Sequence, residues 1–275
     1  MSEPDAIPFQ EDAPSSDPSR NDKSHQSNPS QGEMECKYDM DLPKKGKCLI
    51  INMENFSYKD KKQQVLPKRP GTDQDALSLR KVFELIGFEV QIEKDPAYKE
   101  YDEIMKNAAK EDHSKNRCFV CVILSHGDLD GFYIKDDHIK WDSLFQDFKP
   151  DKCPSLVGKP KLFFAQACRG NKRDSGVTCH SSGEDKPIVN RIPEEADILC
   201  HYSTPPGYVA WRDKEEGSWF IQTLCEMLEK HWKSYELLQI LTCVNNKVAY
   251  QYETSTGKKE MPCIVSTLTK CLYLK

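Results

Sequence analysis

The chain has 275 residues, with 39 basic against 44 acidic side chains, a net charge of −5, 37% hydrophobic and 30% charged residues. That length suits one large α/β domain or two small ones with a substantial core, and the acidic balance argues against nucleic acid as a partner. No apolar run approaches the ~18–20 residues that span a bilayer, and the N-terminus lacks the basic start and apolar stretch of a signal peptide, so the twelve cysteines are expected in a reducing, cytoplasmic setting with no membrane contact.

Residues 1–40 are expected to be a disordered tail, because over 1–32 the only apolar side chains are Met1, Ala6, Ile7, Phe9 and Ala13, too few to offset the entropy of ordering. Beyond it, strand-length apolar runs alternate with helical periods. The first strand is expected at Lys47–Asn52. A helix follows with Thr72 as N-cap, Leu79, Val82, Phe83 and Ile86 on one face and Gly87 as its stop. Phe88–Ile92 is a strand, and Tyr101, Ile104, Met105 and Ala108 mark a second helix. Cys118–Ser125, Lys161–Gln166 and Ile198–Tyr202 are strands. Phe220, Leu224, Met227 and Leu228 form a helix entered through Ser218, another runs from about Ser234 to Val248, and Pro262–Leu268 is the last strand. Most strands are apolar at consecutive positions, the pattern of a mainly parallel sheet covered on both faces. Residues 171–192 are polar and lack either period, a loop length that is commonly functional.

Cys118 and Cys121 form a C-x-x-C, but a separation of three within an apolar strand sends the side chains to opposite faces, and no second ligand pair is suitably spaced for zinc. Both are expected in the core, as are Cys36, Cys48, Cys153, Cys225, Cys243, Cys263 and Cys271. Cys179 and His180 in the polar loop are too few for a metal site, so no metal and no cofactor is expected. Cys168 and His126 each lie just past the C-terminal end of an apolar strand, where open α/β sheets build their sites. Position alone fits two readings: a nucleophile with its base, or a buried cysteine and a surface histidine that happen to end strands.

The local sequence favours the first. Cys168 sits in QACRG with His126 42 residues upstream, which resembles the caspase pattern of that pentapeptide with a histidine roughly 50 residues before it. HSKNRCFVCVILSHG and KPKLFFAQACRG resemble the family's histidine and cysteine regions, with Ala165 where a larger aliphatic residue is usual. The likeness continues through KRPGTDQDA, IPEEAD, YSTPPGYVAWR, GSWFIQ and PCIVSTLTK, nearly everything after residue 40. The short tail without a death-domain-sized module resembles the executioner type.

The resemblance implies a clan CD cysteine endopeptidase that cuts proteins after aspartate, with a three-layer α/β fold whose six-stranded, mostly parallel sheet is extended by a dimer. It implies Cys168 as nucleophile, His126 as proton carrier oriented by the Pro67 carbonyl, and the amides of Gly127 and Cys168 as oxyanion hole. Arg69, Gln166 and Arg212 match the pocket for the substrate aspartate at P1, the residue before the scissile bond. Trp211 and Trp219 would be apolar walls, and Val209, where an aromatic usually narrows the P2 pocket, would admit a larger P2 residue. Asp213 stands where the executioner pattern has an asparagine and should repel an acidic P4 residue; the loop over 249–257 is also short. Strict aspartate at P1 with a weakened preference for it at P4 is therefore expected. The family also implies a zymogen: a prodomain over 1–40, a large subunit over 41–174, a linker over 175–192 and a small subunit over 193–275. Asp174 would be the activating cut, with Asp185 second because Lys186 and Pro187 make a poor exit side, and the cut would be made by an upstream initiator. The mature form would be a homodimer of large and small subunit pairs acting in apoptosis. The alternative within the family is a catalytically inactive scaffold or decoy.

Overall fold

The apolar runs become one central sheet in the computed structural model, which describes residues 36–59, 65–170, 172 and 196–275. In chain order the elements are β1 (Lys47–Asn52), α1 (Thr72–Ile86), β2 (Glu89–Lys94), α2 (Tyr98–Lys110), β3 (Phe119–Leu124), β4 (Gly131–Tyr133), β5 (His138–Lys140), β6 (Lys161–Gln166), β7 (Ile198–Tyr202), β8 (Arg212–Asp213), β9 (Gly217–Ser218), α3 (Trp219–His231), α4 (Leu237–Gln251) and β10 (Cys263–Ser266). The six-stranded sheet runs β10-β7-β6-β3-β1-β2, parallel throughout except for the β7–β10 pair. β4–β5 and β8–β9 are separate antiparallel hairpins.

Consecutive apolar residues are required because both faces are covered. Cys48, Ile50, Val120, Val122, Leu162 and Phe164 point into a layer shared with α1, α3 and α4. Their neighbours Leu49, Ile51, Phe119, Cys121, Ile123 and Phe163 point into a second layer with α2 and the turns around Trp141 and Phe148. Each fully buried Leu, Ile or Phe contributes about 1.5–3 kcal/mol. Cys118 and Cys121 fall in opposite layers as free, fully buried thiols. Burial pushes their ionisation upward, the Cys118 thiol to about 12; such thiols are inert.

Several boundaries and placements differ from expectation. Thr72 is not the cap of α1: Gly71 precedes the helix in the left-handed region, and Thr72 is its first residue, with its hydroxyl donating to Asn52 Oδ1 and accepting from Arg69. A side chain at 71 would meet the carbonyls of Asp213 and Lys214 within 2.7 Å, so the close approach of the β8–β9 hairpin requires glycine. Ser218 does cap α3, accepting from Ile221 N, whereas α4 starts at Leu237 behind a Glu236 capping box. Tyr38, assigned to the tail, is buried, and its hydroxyl donates to Asp197 (2.6 Å); residues from Cys36 onward belong to the folded unit. Cys36 and Cys271 are exposed and Cys243 and Cys263 half-buried rather than core: Cys243 lies on helix α4 outside its buried face, Cys263 on the edge strand β10, and Cys36 and Cys271 in segments outside the sheet.

Candidate active site

Parallel pairing brings the two strand-end residues, His126 and Cys168, to one edge of the sheet. Leu124 at the end of β3 is register partner to Gln166 at the end of β6, so His126 and Cys168 each stand two residues beyond a matched pair, at the same edge of the sheet. Tyr133 N donates to His126 O, and Gly127 bridges Phe132, so the β4 hairpin braces this corner.

The His126 ring is bonded through Nε2 to Pro67 O at 2.9 Å and packs on Phe56, with ring centres 5.0 Å apart. A carbonyl only accepts, so Nε2 carries the proton and Nδ1 keeps its lone pair. Burial, with the Arg69 and Arg212 charges, lowers the imidazole pKa to about 4, so it is neutral near pH 7. Burial also raises the Cys168 thiol. Cys168 Sγ accepts from Ala210 N (3.4 Å) and faces Ala210 O at 4.0 Å. Among the described residues the imidazole and thiol are not hydrogen-bonded to one another. The chain after the cysteine runs beside residues 207–209: Arg169 N donates to Tyr208 O, Lys172 N to Gly207 O and Val209 N to Lys172 O. Gly127 sits against the Cys168 main chain, where a Cβ would lie 2.6 Å from Cys168 O and 3.0 Å from both Gly131 O and Ala167 Cβ.

Arg69 is 2% exposed, and its Nη1 donates to Met53 O (2.8 Å) and Thr72 Oγ1 (2.9 Å). Burial first and the neighbouring Arg212 charge second lower its pKa to about 9. Arg212, in β8, donates from Nη1 to Pro70 O. Among the described residues neither guanidinium is in an ion pair, although the Asp75 carboxylate acts on both through space. Gln166 is buried, with its Oε1 lacking a hydrogen-bond partner. Trp211 stacks on Trp219 (6.0 Å), which stacks on Tyr252 (5.3 Å). Val209 is half-buried beside this segment. The Asp213 carboxylate closes a turn by accepting from Glu215 N and Glu216 N, bonds that hold its pKa low.

Residue-type reasoning did not single out Tyr252, Phe56, Ala210 or Glu260. The aromatic pair Trp219–Tyr252 had no sequence signal, since the two sit on different helices' ends. Asp174, Asp185, Cys179 and His180 lie outside the described residues.

A neutral thiol, an imidazole with a free Nδ1 and two cationic donors without an ion pair, all at one sheet edge, suit acyl transfer on a substrate carrying a carboxylate. The model of the caspase domain matches residues 45–273. The chain belongs to the caspase family. It is 48% identical over 239 residues to Caspase-3 of Xenopus laevis, covering 86% of this chain and 82% of that one. It is 47% identical over 246 residues to Caspase-3 of Bos taurus, covering 87% and 88%. Among solved structures, the crystal structure of Caspase-1 from Spodoptera frugiperda matches with a TM-score of 0.78 at 38% identity, over 90% of this chain and 98% of that one. This caspase is an aspartate-specific cysteine endopeptidase of the apoptotic executioner type.

Proposed function

We propose that Cys168 is the nucleophile and that Arg69, Arg212 and Gln166 select the aspartate before the scissile bond. The observation that carries this reading is the buried Arg69 beside Arg212, without an ion pair among the described residues, near a strand-end thiol. Leaving two like charges desolvated is costly unless an anion arrives, and two guanidinium forks match a carboxylate in a way that lysines would not. A longer acid would seat its backbone differently and misplace the scissile carbonyl.

In this mechanism the peptide displaces Ala210 from Cys168, and the thiol proton passes to His126 Nδ1. The thiolate attacks the scissile carbonyl carbon; its oxygen becomes an oxyanion received by the Gly127 and Cys168 amides. Imidazolium then gives its proton to the departing amine as the C–N bond breaks, and water hydrolyses the thioester to restore the thiol. The Pro67 carbonyl supports this by fixing the tautomer. Val209, Trp211, Trp219 and Tyr252 would form the apolar wall for the residues before the aspartate. Asp213 would disfavour acid at P4; its carboxylate already serves a turn, so a substrate acid would add a second negative charge there.

The chain would be a cytoplasmic zymogen whose prodomain lies ahead of the folded unit that begins at Cys36, with a large subunit running to 174 and a small subunit over 193–275 separated by the linker over 175–192. An initiator would cut after Asp174, or second after Asp185, and the mature pairs would form a homodimer acting on protein substrates. A fluorescent peptide ending in an aspartyl chloromethylketone should label Cys168 and fail to label Cys168→Ala; labelling that survives this substitution would overturn the assignment. Mass spectrometry of the active protein should find a fragment beginning at Ser175, and an intact Asp174–Ser175 bond in active enzyme refutes that choice.

A further inference from the structure

The segment that carries Arg212 is held from behind by a carboxyl group that the mechanism does not use. Consecutive amides of an extended chain face opposite sides. Here Ala210 N points to Cys168 Sγ, and Trp211 N donates to Glu260 Oε2 at 2.5 Å. The Trp211 indole Nε1 also donates to Lys259 O (3.2 Å), so the residues just before β10 grip Trp211 by main chain and side chain together. Glu260 is 2% exposed, and its second oxygen, Oε1, is buried without a hydrogen-bond partner.

We propose that Glu260 is a positioning residue for substrate recognition, its buried carboxyl setting how far the Ala210–Arg212 segment stands from the nucleophile. The inference rests on the reading of Arg212 as a donor to the substrate aspartate. Glu260 then acts mainly on substrate affinity through Trp211 and Arg212, and reaches the thiol of Cys168 only through space.

The electrostatics around Glu260 make the latch pH-dependent. Burial raises its ionisation well above the ordinary carboxylate range, and the Asp75 carboxylate, reaching it from α1, pushes the same way. Cys168, on the other side of the segment, feels the Glu260 charge as a rise in its own pKa. On Glu260's own loop, the Lys259 ammonium is paired with Glu253 at 3.6 Å, and Lys258 lies beside it. With the group neutral the segment is held without a buried charge. As pH rises and Glu260 ionises, a charged carboxylate is buried behind Trp211, one residue from the arginine that must bind an anion.

The test is the split between KM and kcat for an aspartyl peptide in two variants. Glu260→Gln keeps the size and an acceptor oxygen for Trp211 N and has no charge; Glu260→Ala keeps neither. Expected is a KM raised by about tenfold or more in Glu260→Ala, the effect of losing one strong hydrogen bond, with kcat little changed. Glu260→Gln should match the parent KM near neutral pH and show a smaller rise in KM than the parent at alkaline pH. Only the parent gains a buried negative charge there, while any rise from Arg69, whose pKa is about 9, is common to both. An unchanged KM in Glu260→Ala, equal damage in both variants, or parallel KM profiles for Glu260→Gln and the parent would each overturn the proposal. Should Glu260→Ala fail to fold by thermal melting, the Glu260→Gln profile decides alone. A parent enzyme showing no aspartate preference would instead overturn the underlying P1 assignment, so the two failures are distinguishable.

Discussion

Replacing Gly127 with alanine should disable the reaction while leaving substrate binding nearly intact. An added Cβ would lie 2.6 Å from Cys168 O, about 0.8 Å short of the 3.4 Å at which ordinary contact begins, and Gly131 O and Ala167 Cβ at 3.0 Å close the alternative directions. The obstacle is main chain, so the Gly127 and Cys168 segments must part. Oxyanion donors act within 2.7–3.1 Å of the developing charge, and a displacement of about 0.8 Å exceeds that window; loss of one such donor costs roughly 2.7–4 kcal/mol, or about 10²–10³ in kcat. Overpacking adds about 1–3 kcal/mol of destabilisation, so thermal melting must accompany the kinetics. The assay is steady-state cleavage of an aspartyl peptide, with active sites counted by an irreversible aspartyl probe. A folded, fully titratable Gly127→Ala enzyme with kcat within about fivefold of the parent would refute the placement of this amide in the oxyanion hole.

Arg69→Lys removes the planar fork that bonds Met53 O and Thr72 Oγ1 and should cut kcat/KM for aspartyl peptides by about 10–150-fold, the range of a hydrogen bond to a charged group; unchanged kcat/KM would count against the pocket. Stability should fall as pH drops from 6.5 to about 4. Buried His201, bonded through Nε2 to Asn245 Oδ1, has a folded pKa of about 4, so across that window the unfolded chain binds a proton that the folded chain refuses. His201→Gln should flatten part of that slope in thermal melts, and an unaltered slope would contradict the assignment. Alkylation of Cys168 in the unliganded chain should keep accelerating past pH 9.0, because burial raises the thiol above that ordinary value; a rate already level near neutrality would argue for a preformed thiolate.

The sheet was legible because a strand buried on both faces needs apolar residues in succession, and KCLIIN, FVCVIL and KLFFAQ are such runs. Cys168 and His126 were legible because each follows one of those runs and lies in a specific local pattern. The Leu124–Gln166 register that unites them was not, since parallel pairing joins segments distant in sequence. Thr72 has the residue type of a cap, yet tertiary partners on Asn52 and Arg69 claim its hydroxyl, and Gly71 is dictated by the hairpin pressed against it. Glu260, in the charged run KKEM, has the look of a solvated surface residue. Its burial follows only from the way the segment before β10 folds behind Trp211. The two short hairpins are too brief for any period to register, although β8 carries Arg212.

The central claim, that Arg69, Arg212 and Gln166 read an aspartate for Cys168 to cut beyond, is tested most directly by sequencing the new N-termini that the purified protein releases from a complex protein mixture. The account predicts aspartate immediately before nearly every cut, with glutamate rare at that position and little demand for a second acid three residues earlier. Cuts without enrichment of aspartate, or with glutamate accepted equally well, would contradict it.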